Sequence, residues 1–119
     1  MKGLHLTADL YRCRCEAGWL TDPQKLAAWC VAAAEAVGLE VVGQLFLPRK
    51  GGVAGTLLLP QGHVGLHTWP EGRSVTADVH VAHVDGDHSA QARGLMFALV
   101  NRFQPEWTEQ RSLDRGEDE

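Results

Sequence analysis

The stretch LLLPQGHVGLHTWPE (residues 57–71) decides the fold, because it joins two strand-like runs through a short break. Pro60 has no backbone N–H to donate, and Gly62 can adopt backbone angles that are closed to other residues. The chain can therefore turn between the two runs. Beyond the break, His63 and His67 fall on one face of a strand. The simplest interpretation is a β-hairpin.

Short loops connect this hairpin to strand-like runs on either side. Residues 39–47 precede it across the loop PRKGG, and residues 75–83 follow it across PEGRS. Connections this short favour antiparallel neighbours. The middle of the chain is therefore predicted to be a meander of three or four antiparallel strands.

A strand and a helix are predicted before the meander. Apolar and polar residues alternate over residues 3–11, which is typical of a half-buried strand. The run TDPQ (residues 21–24) is a helix-start signal in which either Thr21 or Asp22 is the cap. Apolar residues then recur at helical spacing as far as Gly38, a natural C-terminal stop.

A second amphipathic helix is predicted over residues 89–103, followed by a last strand over residues 107–113. Residues 114–119, DRGEDE, are expected to form a mobile tail. The whole chain, residues 1–119, is predicted to be one domain with the element order βαββββαβ. That order predicts an α+β fold, a two-layer α/β sandwich whose mostly antiparallel sheet carries two helices on one face.

The sheet face away from the helices would be exposed in a monomer. His5, His63, His67 and His80 alternate with apolar residues and are predicted to lie on it. A second copy packed against this face would cover it. We therefore predict a homodimer through the sheet face.

Composition and charge disfavour several classes of partner. The net charge is −4 with no cluster of Lys and Arg, which argues against a nucleic-acid surface. No stretch approaches the roughly 20 apolar residues that cross a bilayer. The N-terminus also lacks the apolar core of a signal peptide, so a cytoplasmic location is expected. The odd number of cysteines, 3, indicates reduced thiols.

The spacing of potential metal ligands assigns no metal site. Cys13 and Cys15 are separated by one residue, where common zinc motifs leave at least two. His63 and His67 share a strand face but lie roughly 13 Å apart at about 3.3 Å per residue. A histidine-based metal-binding protein remains an alternative. The residues considered for it are His63, His67, His80, His83, His88, Asp85 and Asp87.

Several motifs occur in the order found in one enzyme family. They are HLTADLYRC (5–13), GGVAGTLLL (51–59), HVGLHTWPE (63–71), ADVHVA (77–82) and LDRG (113–116). Together they resemble the short bacterial and archaeal class of S-adenosylmethionine decarboxylase, the pyruvoyl enzyme of spermidine (polyamine) biosynthesis. HTWPE followed by an Asp-Val strand is the most specific part of the match. The resemblance implies a two-layer α/β sandwich that assembles through its sheets.

Three residues depart from the pattern that this resemblance implies. Gly62 lies at the position of the serine that becomes the pyruvoyl group, Ala54 at that of a processing serine, and Ala82 at that of a proton-donating cysteine. Gly62 has neither a hydroxyl nor a β-carbon. The pyruvoyl cofactor is therefore predicted to be absent and the chain to remain uncut.

Other family positions are retained. His67 lies at the position of the family's processing histidine, and Trp69 and Glu71 belong to its substrate-side loop. Trp69 could stack on an aromatic ligand, and Glu71 could pair with an amine or accept hydrogen bonds from a ribose. Alternatively, both residues simply stabilise the tight turn.

The favoured hypothesis is a noncatalytic binding or regulatory member of the family. Its partners would be S-adenosylmethionine, a related nucleoside or a polyamine, or a catalytic paralogue that it activates. The alternative from the enzyme class is an active protein, on the family substrate or another, that uses His67 as acid or base. Catalysis of that kind also requires a positioned partner for the imidazole.

Overall fold

The computed structural model describes residues 1–117, which form a six-stranded sheet and three α-helices. The strands are β1 (Lys2–Cys13), β2 (Gly43–Arg49), β3 (Gly52–Leu59), β4 (Gly62–Trp69), β5 (Ser74–Ala82) and β6 (Pro105–Gly116). The helices are α1 (Gly18–Thr21), α2 (Pro23–Ala36) and α3 (Ser89–Phe103), and a 3-10 turn, Pro70–Gly72, follows β4. These elements confirm the predicted α+β sandwich.

All neighbouring strands are antiparallel and lie in the order β2-β3-β4-β5-β1-β6. The four consecutive strands β2 to β5 form the predicted meander. The N-terminal strand β1 lies beside β5, and the C-terminal strand β6 pairs with the other side of β1. The first and last strands are therefore held in the sheet by pairing over long sequence separations.

One face of the sheet and the helices enclose the hydrophobic core. Full burial of a Leu or Val side chain stabilises the fold by about 1.5–3 kcal/mol. From the opposite layer, α2 adds Leu26 and Cys30, and α3 adds Leu95, Leu99 and Phe103. The buried apolar side chains of the strands include Leu4, Leu6, Ala8, Leu10, Cys13, Val53, Leu57, Leu59, Val64, Leu66, Val75, Ala77, Val79 and Val81.

Of the two caps that the sequence allows for α2, the structure has Asp22 and not Thr21. The carboxylate Oδ1 of Asp22 accepts hydrogen bonds from the backbone N–H groups of Gln24 (3.0 Å) and Lys25 (3.2 Å). Pro23 occupies the first turn, where its missing N–H costs nothing. Thr21 instead ends the short helix α1, which was not predicted because four residues are too few to show a helical period.

Two strands, β2 and β6, differ from the prediction by more than two residues at one end, and the other strands differ by one or two. β2 begins at Gly43 rather than at residue 39, because Leu39 is buried in the core just after α2 instead of pairing in the sheet. β6 is longer than predicted and reaches Gly116. The expectation of a mobile tail was therefore wrong for residues 114–116, which pair with β1; residues 118 and 119 lie outside the described residues.

The ends of β6 escaped prediction for a physical reason. Most of its residues are exposed, so no alternation of apolar and polar side chains marks the strand. Its pairing with β1, from Cys13↔Pro105 to Lys2↔Gly116, is provided by backbone hydrogen bonds that any sequence can make. Within residues 1–117, none of the helices has the length and apolarity that crossing a membrane requires.

Candidate functional site

The sheet face opposite the helices carries the candidate functional residues. We call this surface the open face. Strand pairing places on it the side chains of His5, Leu45, Leu47, Ala54, Thr56, Leu58, His63, His67, Asp78 and His80. Leu45, Leu47 and Leu58 are more than half exposed, at 57%, 51% and 56%. The open face is therefore apolar toward β2 and polar in its centre.

Gly62 lies at the tight end of the β3–β4 hairpin. It pairs with Val81, and the N–H of Ala82 donates a hydrogen bond of 2.8 Å to the carbonyl of Gln61. A Cβ built on Gly62 would lie 1.9 Å from the carbonyl oxygen of His80. Atoms cannot approach this closely, so any side chain at position 62 requires the backbone of β4 or β5 to move.

Ala54 and His67 face each other directly across β3 and β4. The His67 ring is exposed and stacks on Trp69, with 6.0 Å between ring centroids. Among residues 1–117 it has no hydrogen-bonding partner that would orient it as an acid or base. Ala54 and His67 border a shallow cavity of about 230 Å³. Its lining consists of Leu45, Leu47, Ala54, Gly55, Thr56 and His67.

The four family positions do not form one site within a single chain. Gly62 and Ala82 lie at one end of the β4–β5 pair, where Val81 is the partner of Gly62. His67 and Ala54 lie five residues further along β4, which is roughly 16 Å at about 3.3 Å per residue. Within residues 1–117, the four positions therefore form two separate groups.

Trp69 and Glu71 line one pocket, as the binding hypothesis requires. This pocket has a volume of about 180 Å³ and adjoins the end of the open face. Arg49 and Lys50, from the turn between β2 and β3, also line it, and the guanidinium carbon of Arg49 lies 5.4 Å from the Trp69 ring centroid. These two cations were not predicted from the sequence, because the composition of PRKGG indicates only a flexible loop.

A cluster of histidines occupies the centre of the open face. His5 and His63 both donate from Nε2 to Oδ2 of Asp78, at 2.8 Å and 3.2 Å. Arg115 donates to Nδ1 of His5 (3.2 Å), so the proton of the His5 ring is on Nε2. His80 lies beside both rings, and burial together with the charges of His5 and His63 lowers its pKa.

The histidine-based metal alternative named a different set of residues. The structure brings His63 together with His5 and Asp78, whereas His67 lies further along β4. The alternation of residues along β1 predicts that His5 lies on this face. Its approach to His63 has no local signal, because the neighbour of β1 is set by long-range pairing.

Residues 83–88 form a separate loop cluster. Nδ1 of His83 accepts a hydrogen bond from the backbone N–H of His88 (3.1 Å). Asp87 accepts from the backbone N–H of Ser89 (2.8 Å), and hydrogen bonds from Ser89 lower the pKa of Asp87. These contacts organise the start of α3. No group of three metal-ligating residues forms in this loop within the described part of the chain.

The cysteines are buried and unpaired. Burial raises the pKa of the Cys13 thiol to about 11 and that of the Cys30 thiol to about 12. Thiols of this kind remain protonated at neutral pH and behave as small apolar side chains. This agrees with the expectation of reduced, structural cysteines.

The motifs and the fold agree with one known family. The family described as S-adenosylmethionine decarboxylase matches residues 4–116. The chain belongs to this family. It is 31% identical over 118 residues to an S-adenosylmethionine decarboxylase proenzyme of Hydrogenobaculum sp. (strain Y04AAS1), an alignment that covers 96% of this chain and 81% of the relative.

Other members show how broad the family is. The crystal structure of the adenosylmethionine decarboxylase from Aquifex aeolicus VF5 superimposes with a TM-score of 0.85 at 26% identity, covering 98% of this chain and 92% of that one. A relative from Aeropyrum pernix, 36% identical over 90 residues (73% of this chain, 64% of the relative), is named arginine decarboxylase proenzyme. The relatives are therefore named for two different substrates, S-adenosylmethionine and arginine.

Proposed function

We propose that this member of the S-adenosylmethionine decarboxylase family remains a single uncut chain and acts as a small-molecule-binding or regulatory protein linked to polyamine biosynthesis. The observation that carries the proposal is Gly62, at the position of the serine that the family converts to a pyruvoyl group. A pyruvoyl group requires a β-carbon, and glycine has none. The residues present do not fit this cofactor.

The surroundings of Gly62 support the same conclusion. A Cβ at Gly62 would lie only 1.9 Å from the carbonyl oxygen of His80. Ala54 and Ala82 also offer neither the hydroxyl nor the thiol of the family pattern. Backbone packing and side-chain chemistry thus both support the proposal of an uncut hairpin.

The ligand we propose is S-adenosylmethionine or a closely related nucleoside. Trp69 presents an aromatic face and Glu71 a carboxylate, while Arg49 and Lys50 supply positive charge. An adenine ring could stack on Trp69, and ribose hydroxyls could donate hydrogen bonds to Glu71. An amino-acid carboxylate could pair with Arg49 and Lys50. A polyamine carries only positive charge, so it fits the Arg49 and Lys50 end less well.

We further propose that a second copy completes this pocket. Its volume of about 180 Å³ is below the roughly 300–1,000 Å³ typical of small-molecule sites. The exposed Leu45, Leu47 and Leu58 on the adjoining open face would be buried by a partner. The same surface would suit pairing with a catalytic paralogue. The buried free thiols suit the reducing cytoplasm.

Two measurements on one preparation test the proposal. Intact-mass spectrometry should give a single species near 13.0 kDa. S-adenosylmethionine should raise the melting temperature, because a ligand that binds only the folded state stabilises it. Spermidine at the same concentration should have the smaller effect. Two fragments divided between Gln61 and Gly62 would overturn the proposal of an uncut chain.

Variants locate the binding site. Trp69→Ala removes the stacking surface and is expected to weaken binding about 3- to 10-fold, since an aromatic pair is worth roughly 0.5–1.5 kcal/mol. Glu71→Gln should weaken binding as well. Trp107→Ala is the matched control, because Trp107 is also half exposed but stacks on Tyr11 at the other edge of the sheet. Equal effects of Trp69→Ala and Trp107→Ala would contradict the assigned pocket.

A further inference from the structure

Three potential metal ligands converge at the centre of the open face. One ligand atom from each of His5, His63 and Asp78 lies within 4.8 Å of the other two, and the three residues are half-buried. The Nε2 atoms of His5 and His63 lie 2.8 Å and 3.2 Å from Oδ2 of Asp78. Donor atoms around a tetrahedral zinc ion lie about 3.4 Å apart, given bonds of roughly 2.0–2.2 Å. Small movements of these side chains would admit an ion.

The sheet itself produces this convergence. His5, His80 and His63 form one row across β1, β5 and β4, because His80 pairs with both of the others. Asp78 lies two residues before His80 and therefore on the same face. The ligands come from three adjacent central strands, which hold side chains more rigidly than loops do.

Gly65 leaves space for the carboxylate of Asp78. It is the β4 partner of Asp78, and a Cβ at this glycine would lie 2.3 Å from Oδ1 of Asp78. The absence of a side chain lets the carboxylate extend over β4 toward His63. A larger residue at position 65 would displace the carboxylate from the two imidazoles.

We propose that His5, His63 and Asp78 bind a divalent transition-metal ion of the zinc class. Two imidazoles and one carboxylate form a donor set suited to Zn²⁺, Co²⁺, Ni²⁺ or Fe²⁺ rather than to Mg²⁺ or Ca²⁺, which prefer oxygen ligands alone. Three protein ligands leave a coordination position open for water or a ligand molecule.

His80, which lies beside these ligands, has a ring nitrogen that lacks a hydrogen-bond partner among the described residues. Its Nε2 is buried and has no hydrogen-bond partner within residues 1–117. Buried polar atoms almost always have a partner. Its ring centroid lies 5.3 Å from that of His5 and 5.4 Å from that of His63, so the ring that carries the unsatisfied nitrogen borders the proposed site.

Arg115 competes with the metal ion. It donates to Nδ1 of His5 and thereby holds the proton on Nε2, the atom that must bind the ion. Coordination through Nε2 transfers the ring proton to Nδ1, which can no longer accept from Arg115. Because Arg115 is exposed near the end of edge strand β6, its side chain can turn into solvent. Its removal should therefore tighten metal binding.

The test is a competition titration of the full-length chain with Zn²⁺ and a chromophoric chelator. We expect one ion per chain. His63→Gln and Asp78→Asn should each weaken binding by more than about 100-fold, because the loss of an outer-shell partner alone costs roughly 10- to 100-fold. His67→Gln is the matched control, since it removes a histidine from the same strand and face but outside the cluster, and it should leave the affinity unchanged.

Arg115→Ala keeps the proposal falsifiable if the ligand variants do not fold. It leaves all three ligands in place and is expected to tighten zinc binding several-fold. Absence of zinc binding by the wild-type chain, or equal weakening by His63→Gln and His67→Gln, would overturn the site. The proposed S-adenosylmethionine pocket is tested with different variants and without metal, so failure of either proposal leaves the other standing.

Discussion

Gly62 shows how one residue can be constrained from two directions. It has no β-carbon, which the family resemblance implies that a pyruvoyl group requires, and a Cβ built on it would lie 1.9 Å from the carbonyl oxygen of His80. The first statement follows from the sequence alone. The second requires the structure, because it depends on how closely β5 approaches β4 at the hairpin.

Gly62→Ser therefore should not restore cleavage. The new Cβ must displace the strand backbone, and strain of this kind typically costs about 1–3 kcal/mol of stability. We expect a single uncut species by intact mass and a lower free energy of unfolding in urea.

Gly72→Ser is the control for this prediction, because the nearest atom to a Cβ at that position is Oγ of Ser74 at 3.8 Å. It should change stability little. Cleavage of Gly62→Ser into two fragments would show that the hairpin rearranges readily. It would also show that the missing hydroxyl alone had blocked processing.

The elements differ in how strongly their own sequence defines them. α2 begins at a capping residue followed by proline, and left-handed Gly38 (φ +87°) follows it, so both ends carry local signals. β6 has no such signal and depends on β1 for its hydrogen bonds. Local chemistry therefore predicted the helix well and the edge strand poorly.

Asp22→Ala should destabilise the fold by about 1 kcal/mol, because two N–H groups of the first turn of α2 lose their acceptor. Asp22→Asn keeps an oxygen in the same place and should retain most of the stability. Chemical denaturation monitored by circular dichroism measures both variants. Equal loss in the two would mean that the negative charge, rather than the hydrogen bonds, stabilises the helix.

Within residues 1–117, no helix or strand covers the open face of the sheet. That face carries exposed leucines near β2 and a hydrogen-bonded His–Asp cluster in its centre. Helices cover the opposite face. The dimer and ligand proposals, and the metal inference, all concern surfaces on or beside the open face.

If a second copy covers the open face, Leu45→Glu should convert the dimer to a monomer, because a buried unpaired charge is costly at an interface. Sedimentation or light scattering would measure the change. Phe97→Glu is the control, since Phe97 is 70% exposed but lies on α3, on the other side of the molecule. A monomeric wild-type chain, or a Leu45→Glu variant that still dimerises, would contradict the proposed interface.

The sequence alone was sufficient for the fold class, the meander, a helix that begins within residues 21–24 and the absence of a hydroxyl at position 62. Each of these depends on local periodicity, local capping or the identity of one side chain. Only the tertiary structure placed β1 between β5 and β6, joined His5 to His63 through Asp78, and put Arg49 beside Trp69. A strand's period of two reveals which face a side chain occupies. Which strand lies next to it, and in what register, is decided by pairing between residues far apart in the chain.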